Sequence, residues 1–197
     1  CPDRQIVDVR LKPGPNLIVV KLSQTQLSTD SFPWGLYLRV VADEAPEVTA
    51  LPERWAFQTD PKDVGVAEKW FAREFDDTGW KPIRVGQTWE SEIGPYDGYG
   101  WYRARVKLPA TLPEGKLALQ FTGVDEEAWV YVNGQFVGER SVKSTGKSIG
   151  EIWEEPFAVM VPRDLVRPGE ENTIAVRVHD SAYAGGIYRG VKLVVQG

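Results

Sequence analysis

Phe121-Thr-Gly-Val-Asp-Glu-Glu-Ala-Trp-Val-Tyr-Val-Asn-Gly-Gln-Phe-Val-Gly138 is the stretch whose reading decides the fold class. From Ala128 to Val132 it is built of aromatic and β-branched residues, the types that fit a pleated, half-buried surface. Asn133-Gly134 follows, and both residues tolerate the positive φ that a two-residue type I′ turn demands. Gln135 to Gly138 then returns as a second strand. The stretch is therefore a β-hairpin, and its neighbours read the same way. Short apolar runs at 6–10, 17–22, 36–41, 83–85, 101–108, 116–121, 157–161, 172–178 and 191–195 are separated by Gly- and Pro-bearing turns. Within 101–108 the period is two. Tyr102, Ala104, Val106 and Leu108 take one face, Trp101, Arg103, Arg105 and Lys107 the other. One helix is expected, over 66–75, where Ala67, Trp70, Phe71 and Phe75 are spaced for a single apolar face. Strands at this spacing predict an all-β chain folded as an antiparallel β-sandwich of the jelly-roll kind.

An internal repeat organises the chain. Lys12-Pro-Gly-Pro-Asn16 leads into Leu17-Ile-Val-Val-Lys-Leu22, and Arg167-Pro-Gly-Glu-Glu-Asn172 leads into Thr173-Ile-Ala-Val-Arg-Val178. Each copy is followed by a Gly-led strand, Gly35-Leu-Tyr-Leu-Arg-Val40 and Gly186-Ile-Tyr-Arg-Gly-Val-Lys-Leu193. The second copy closes a module. Residues 1–42 thus read as the C-terminal strands of a related preceding module, or as extra N-terminal edge strands of the same sandwich. Polar, Pro-containing 43–50 reads as a linker, and 51–197 as the complete sandwich.

Composition removes several function classes. The 197 residues include 23 Lys and Arg against 28 Asp and Glu, a net charge of −5 that supplies no basic surface for nucleic acid. A hydrophobic share of 42% with 26% charged residues suits a packed soluble domain rather than a disordered chain. No apolar run approaches the ~20 residues of a membrane-spanning helix. Cys1 is the lone cysteine, so neither a disulfide framework nor a cysteine-rich metal site is expected. It reads either as the lipid-bearing residue of a processed lipoprotein or as the point of an artificial cut. His179 is the one histidine, so any Ser-His-Asp chemistry would have to use it. The eight Trp, seven Tyr and seven Phe are the unusual feature.

The motifs resemble the sugar-binding jelly roll of family 2 glycoside hydrolases, the β-galactosidase and β-glucuronidase group. The hairpin stretch carries the resemblance together with Phe75-Asp-Asp-Thr-Gly-Trp80, Gly100-Trp-Tyr-Arg103, Pro156-Phe157, Pro168-Gly-Glu-Glu-Asn172 and Gly185-Gly-Ile-Tyr-Arg-Gly-Val-Lys-Leu193, in the family's order. It spans about 53–197 and implies a galactose-binding-like fold. The catalytic machinery of such enzymes sits on a (β/α) barrel, and no βαβα alternation is present in this sequence. The resemblance therefore implies a non-catalytic carbohydrate-binding module of a larger glycan-degrading enzyme, secreted or periplasmic, with the cell surface as a further location. The partners it implies are an oligo- or polysaccharide and the catalytic domain of the same parent chain. A ligand-free spacer that braces that domain is the alternative, and a small esterase or lyase using His179 with a tyrosine is a third reading.

Sugars are held by aromatic faces and by planar polar side chains. Phe75, Trp80, Phe121, Trp129, Tyr131, Phe136 and Phe157 are read as core, and Trp55 and Trp70 lean to packing. Three loops carry the candidates: 87–100 with Trp89, Tyr96 and Tyr99; 141–153 with Trp153 at its end; and 179–189 with His179, Tyr183 and Arg189. In family 2 β-galactosidases the loop before the Gly-x-Tyr strand and an acidic residue after the Val-x-Val strand reach the sugar. The resemblance maps these onto Asp97 and Asp180. If the strands at 101–108 and 172–178 pair antiparallel, loops 87–100 and 179–189 meet at one end of the sandwich and face each other across a cleft. Asp76-Asp77 are read as turn and capping residues and Glu126-Glu127 as a solvated lead-in to a strand. No cofactor is expected, except that a structural calcium could draw oxygens from Asp60, Asp63, Asp76 and Asp77, with no spacing signature to place it.

Overall fold

A computed structural model describes residues 45–196. The strands expected at 6–10, 17–22 and 36–41, and the role of the first repeat copy, lie outside the described residues. In chain order the elements are β1 (Glu47–Thr49), β2 (Arg54–Thr59), β3 (Lys81–Arg84), α1 (Glu90–Ile93), β4 (Gly98–Lys107), β5 (Lys116–Phe121), β6 (Glu127–Val132), β7 (Gln135–Arg140), α2 (Val142–Thr145), α3 (Ile149–Ile152), β8 (Phe157–Val161), β9 (Glu171–Asp180) and β10 (Val191–Gln196). They form two antiparallel sheets, ordered β1-β10-β5-β8 and β3-β2-β4-β9-β6-β7. This is the expected all-β sandwich. The three helices are single turns.

The core lies between the sheets. Tyr102, Val130, Ile174 and Val176 project inward from the larger sheet, and Leu117, Leu119, Leu193 and Val195 from the smaller. The Asn133-Gly134 turn has φ of 47° and 84°, as the I′ reading requires, and joins β6 to β7 with Val132 paired to Gln135. Asn133 also ties the turn to β9. Its amide donates to Asn172 Oδ1 at 2.7 Å, and its Oδ1 accepts from the Thr173 amide at 2.9 Å.

Three expectations are corrected. Residues 66–75 form isolated turns, not a helix. The Asp60 carboxylate draws in the amides of Val64 and Gly65, and Lys69 sits at φ 56°, which no helix accommodates. Trp70 and Phe71 are both drawn onto the outer face of the larger sheet, Phe71 stacking on Tyr131 at 4.5 Å and Trp70 meeting Trp101 edge-on at 6.3 Å. The apolar residues of the expected face do pack, but tertiary contacts replace the helical hydrogen bonds. β4 keeps its expected period of two, and Trp101 and Arg103 on its outer face are buried beneath 60–80. The second correction is that Glu47–Thr49, inside the expected linker, is an edge strand paired with β10. Polarity and a nearby proline mark edge strands as readily as linkers. The third is that Phe136, expected in the core, is 53% exposed, because it lies on the outer face of edge strand β7 with Tyr131 on one side only.

Asp77 is more than a turn residue. It pairs with the fully buried Arg103 at 2.8 Å and with Arg105 at 2.7 Å, while Arg103 also donates to the Trp70 carbonyl. Asp60 accepts from Val64, Gly65 and Trp101 Nε1, Asp63 pairs with Arg177, and Asp76 accepts from the Thr78 amide. All four aspartates considered for calcium are thus engaged by protein donors.

Candidate functional site

Pairing between β4 and β9 fixes which loops meet. Gly98 lies opposite Asp180 and Tyr99 opposite His179, and Glu127 of β6 lies on the other side of His179. The segments before β4, after β9 and before β6 therefore emerge at one end of the sandwich, as the antiparallel pairing of the two strands requires.

They interlock rather than face across a cleft. The Trp89 amide donates to the Gly185 carbonyl at 3.0 Å, the Gly86 amide to Ile187 at 2.9 Å, and the Asp125 amide to Gly186 at 3.0 Å. The Gly185 amide donates to the Glu90 carboxylate at 3.1 Å, and the Ile187 amide to the Tyr102 hydroxyl at 3.2 Å. Glycine is required at 185 because a Cβ there would overlap the Trp89 indole. Trp89 is accordingly 1% exposed, against Phe57 and Tyr96, with its Nε1 donating to the Tyr96 carbonyl at 3.0 Å. The expected role of Trp89 as an exposed stacking face is corrected: it is a core residue, because the 185–187 backbone closes over it. Tyr96 is partly buried and its hydroxyl donates to the Tyr99 carbonyl at 2.7 Å.

Tyr99 and His179 are brought together, at 4.4 Å between ring centroids, but on the outer face of the larger sheet. Arg177 completes that patch, its guanidinium 3.8 Å from the Tyr99 ring and 4.7 Å from Trp129. His179 Nδ1 stands 3.5 Å from Glu127. Trp129, expected in the core, is half-buried here because it faces outward on β6.

At the loop end itself stand three carboxylates. Asp125, Glu126 and Asp180 bring carboxylate oxygens within 4.8 Å of one another. Asp180 is fully buried, so the direct sugar contact inferred for it by resemblance is not open to solvent. Its Oδ1 accepts from the Ala182 amide at 3.1 Å, while Oδ2 has no partner. Glu126, read from sequence as solvated, is 5% exposed and accepts from the Ser181 amide at 3.0 Å and the Ser181 hydroxyl at 2.8 Å. Loop 181–184 returns over it, which the sequence did not reveal. Burial, then repulsion from Glu126 and Glu90, pushes Asp125 up to about 7. Burial chiefly, with Asp125, Glu126 and Asp97 nearby, does the same to Asp180, also to about 7. The neighbouring Arg140 guanidinium is spent on carbonyls, those of Val124, Glu126 and Glu155, with Phe157 beneath it at 4.7 Å.

The exposed aromatic surface lies beside these acids. Trp153, at the C-cap of α3, is 39% exposed, and its ring is 6.3 Å from Tyr188 at an inclination of 31°. The Tyr188 hydroxyl donates to the Trp153 carbonyl at 3.1 Å, and the exposed Arg189 guanidinium lies 5.1 Å from the Tyr188 ring. Gly123 packs beneath, since a Cβ there would come within 3 Å of both Tyr188 and Arg189. Tyr183, at φ 75°, is 95% exposed, and Asp97 is exposed. Tyr188 escaped the sequence reading because it sits in a Gly-led motif read as part of a strand.

Comparison with known proteins places this sandwich. A β-galactosidase of Thermoanaerobacter pseudethanolicus is 28% identical over 155 residues, which cover 68% of this chain and 19% of that enzyme. A family 2 glycosyl hydrolase of Bacteroides cellulosilyticus superposes with a TM-score of 0.56 at 25% identity, over 74% of this chain and 20% of that one. A β-glucuronidase of Ruminococcus gnavus gives a TM-score of 0.63 at 17% identity, over 80% and 31%. No family model matches the chain. The sandwich is similar to the corresponding part of these family 2 glycoside hydrolases, and the chain spans about a fifth of the length of the β-galactosidase it matches.

Proposed function

We propose that this module is a non-catalytic carbohydrate-binding module of a larger glycan-degrading enzyme, binding through the end of the sandwich that carries Trp153, Tyr188 and Arg189. The observation that carries the reading is the pairing of exposed Trp153 with partly buried Tyr188, buttressed from below and flanked by the Arg189 cation, with Asp125 near enough to act on the Tyr188 hydroxyl. Two inclined rings give C–H faces of a sugar something to stack on, and Arg189 and Asp125 donate to and accept from its hydroxyls. Asp97 and Tyr183 extend the same end of the sandwich. The catalytic domain of the parent chain is the second partner. A location outside the cytoplasm, secreted, periplasmic or on the cell surface, follows from a polymeric ligand.

The spacer reading requires both loop tryptophans to be buried. Trp89 meets that requirement and Trp153 does not. Affinity electrophoresis of the full chain against soluble plant and algal polysaccharides, backed by a glycan array, separates the two. Retardation that disappears in Trp153→Ala and Tyr188→Ala, both still folded, is the expected result. Absence of binding to every glycan at millimolar concentration favours the spacer.

A further inference from the structure

We propose that Arg140 is a positioning residue for the Trp153–Tyr188 surface, locking the backbone that carries Trp153 to the backbone beneath Tyr188. The inference rests on the carbohydrate reading for what the surface does, and on the hydrogen bonds of Arg140 for how it is held. Arg140 is the last residue of β7 and is 3% exposed. Its Nη2 donates to the Val124 carbonyl and, at 2.6 Å, to the Glu126 carbonyl, while Nη1 donates to the Glu155 carbonyl. Phe157 lies 4.7 Å from the guanidinium and stacks in turn on Phe121 of β5, 4.7 Å away and 5° from parallel. One side chain thus joins segments 124–126 and 155–157 to the end of β7.

Each segment carries one half of the surface. Trp153 caps α3, a single turn that is too short to hold its own shape. Ile152 anchors the turn in the interior, and from outside the loop the Tyr188 hydroxyl reaches the Trp153 carbonyl and Arg140 the Glu155 carbonyl. The Tyr188 half rests on 122–124: the Arg189 amide donates to the Gly123 carbonyl at 3.2 Å, and the Thr122 amide to the Gly190 carbonyl at 3.0 Å. Through Arg140 both halves are fixed to the same strand end. The residue type supports this role. A guanidinium buried against carbonyls alone is costly to desolvate, and its Nε is buried without a partner. Burial also pushes its pKa below the usual arginine value. An apolar side chain of similar length would fill the space without that cost, but only arginine offers a planar fork of donors that reaches carbonyls of two segments at once. Rings held in place before a ligand arrives bind it more tightly than rings that must first be ordered.

The test combines affinity electrophoresis of the full chain on polysaccharide gels with amide exchange followed by NMR. Arg140→Gln should weaken retardation of the folded molecules about tenfold, and Arg140→Lys, which keeps the charge and loses the fork, about threefold. A purely structural role would instead lower the melting temperature and leave the affinity of the folded molecules unchanged. In Arg140→Gln, exchange at the Trp153 and Glu155 amides should quicken about tenfold while Val176, in the middle of β9, keeps its wild-type rate. Wild-type retardation by folded Arg140→Gln overturns the proposal, as does exchange that is unchanged at Trp153 and Glu155 or that quickens equally at Val176. Arg140→Lys carries both measurements if Arg140→Gln does not fold. Should the wild type bind no glycan while the exchange result holds, the carbohydrate reading fails and the bracing of Trp153 by Arg140 stands.

Discussion

Trp89→Ala separates a packing role from a binding role, and the structure sets the size of the effect. The side chain is 1% exposed, and the backbones of Gly100, Gly185 and Gly186 lie so close that a Cβ on any of them would meet the indole. Removing a Trp that buries about 150–250 Å² forfeits roughly 4–6 kcal/mol at about 25 cal/mol per Å². Partial collapse of the site reduces this, and aromatic-to-Ala changes in cores cost about 3–5 kcal/mol. Loss of the Nε1 donor to the Tyr96 carbonyl adds about 1 kcal/mol. Chemical denaturation followed by fluorescence should therefore show a loss of about 4 kcal/mol, a large part of the 5–15 kcal/mol typical of a domain. Trp89→Phe should cost about half as much. Any change in glycan retardation should follow the loss of folded protein. If Trp89→Ala unfolds at nearly the wild-type denaturant concentration and yet abolishes glycan binding, the assignment of Trp89 to the core is wrong.

Asp77→Ala should destabilise by about 3–5 kcal/mol by leaving Arg103 charged and unpaired in the interior, with Asp77→Asn milder, as read by urea melts. Gly185→Ala should cost at least about 1–3 kcal/mol through overlap with the Trp89 indole, and loss of the 185–187 contacts should appear as faster amide exchange at Ile187. Trp153→Ala should cost far less stability than Trp89→Ala, since Trp153 is 39% exposed and Trp89 1%, while weakening polysaccharide retardation at least tenfold.

Strand positions were legible because apolar alternation and turn chemistry act locally. The Asn133-Gly134 hairpin and the bounds of β5 and β8 needed no tertiary information. The meeting of loops 87–97 and 181–189 was also legible, since antiparallel pairing of two ten-residue strands dictates it. What stayed hidden depends on which backbone crosses over which side chain. Trp89 and Trp153 are alike in sequence context, both in polar, Gly-containing loops, but Gly185 and Gly186 close over the first and nothing described closes over the second to the same degree. Glu126 looked solvated because Ser181, its partner, is 55 residues away. The helical spacing of 66–75 was real as a record of burial, and misread as a record of hydrogen bonding.

The 181–184 turn is clamped on both sides: Ser181 and Ala182 are held by Glu126 and Asp180, and Gly185 to Ile187 by Trp89, Glu90 and Tyr102. Between the clamps, Tyr183 is 95% exposed. Such a hinge-less display loop separates two kinds of evolutionary freedom. Length and chemistry between Ala182 and Ala184 can drift, or accept a grafted peptide or fluorophore, while the anchors on either side keep the sandwich unchanged. Related modules that share the anchoring glycines can thus diverge in what they present to their surroundings without re-solving the problem of folding.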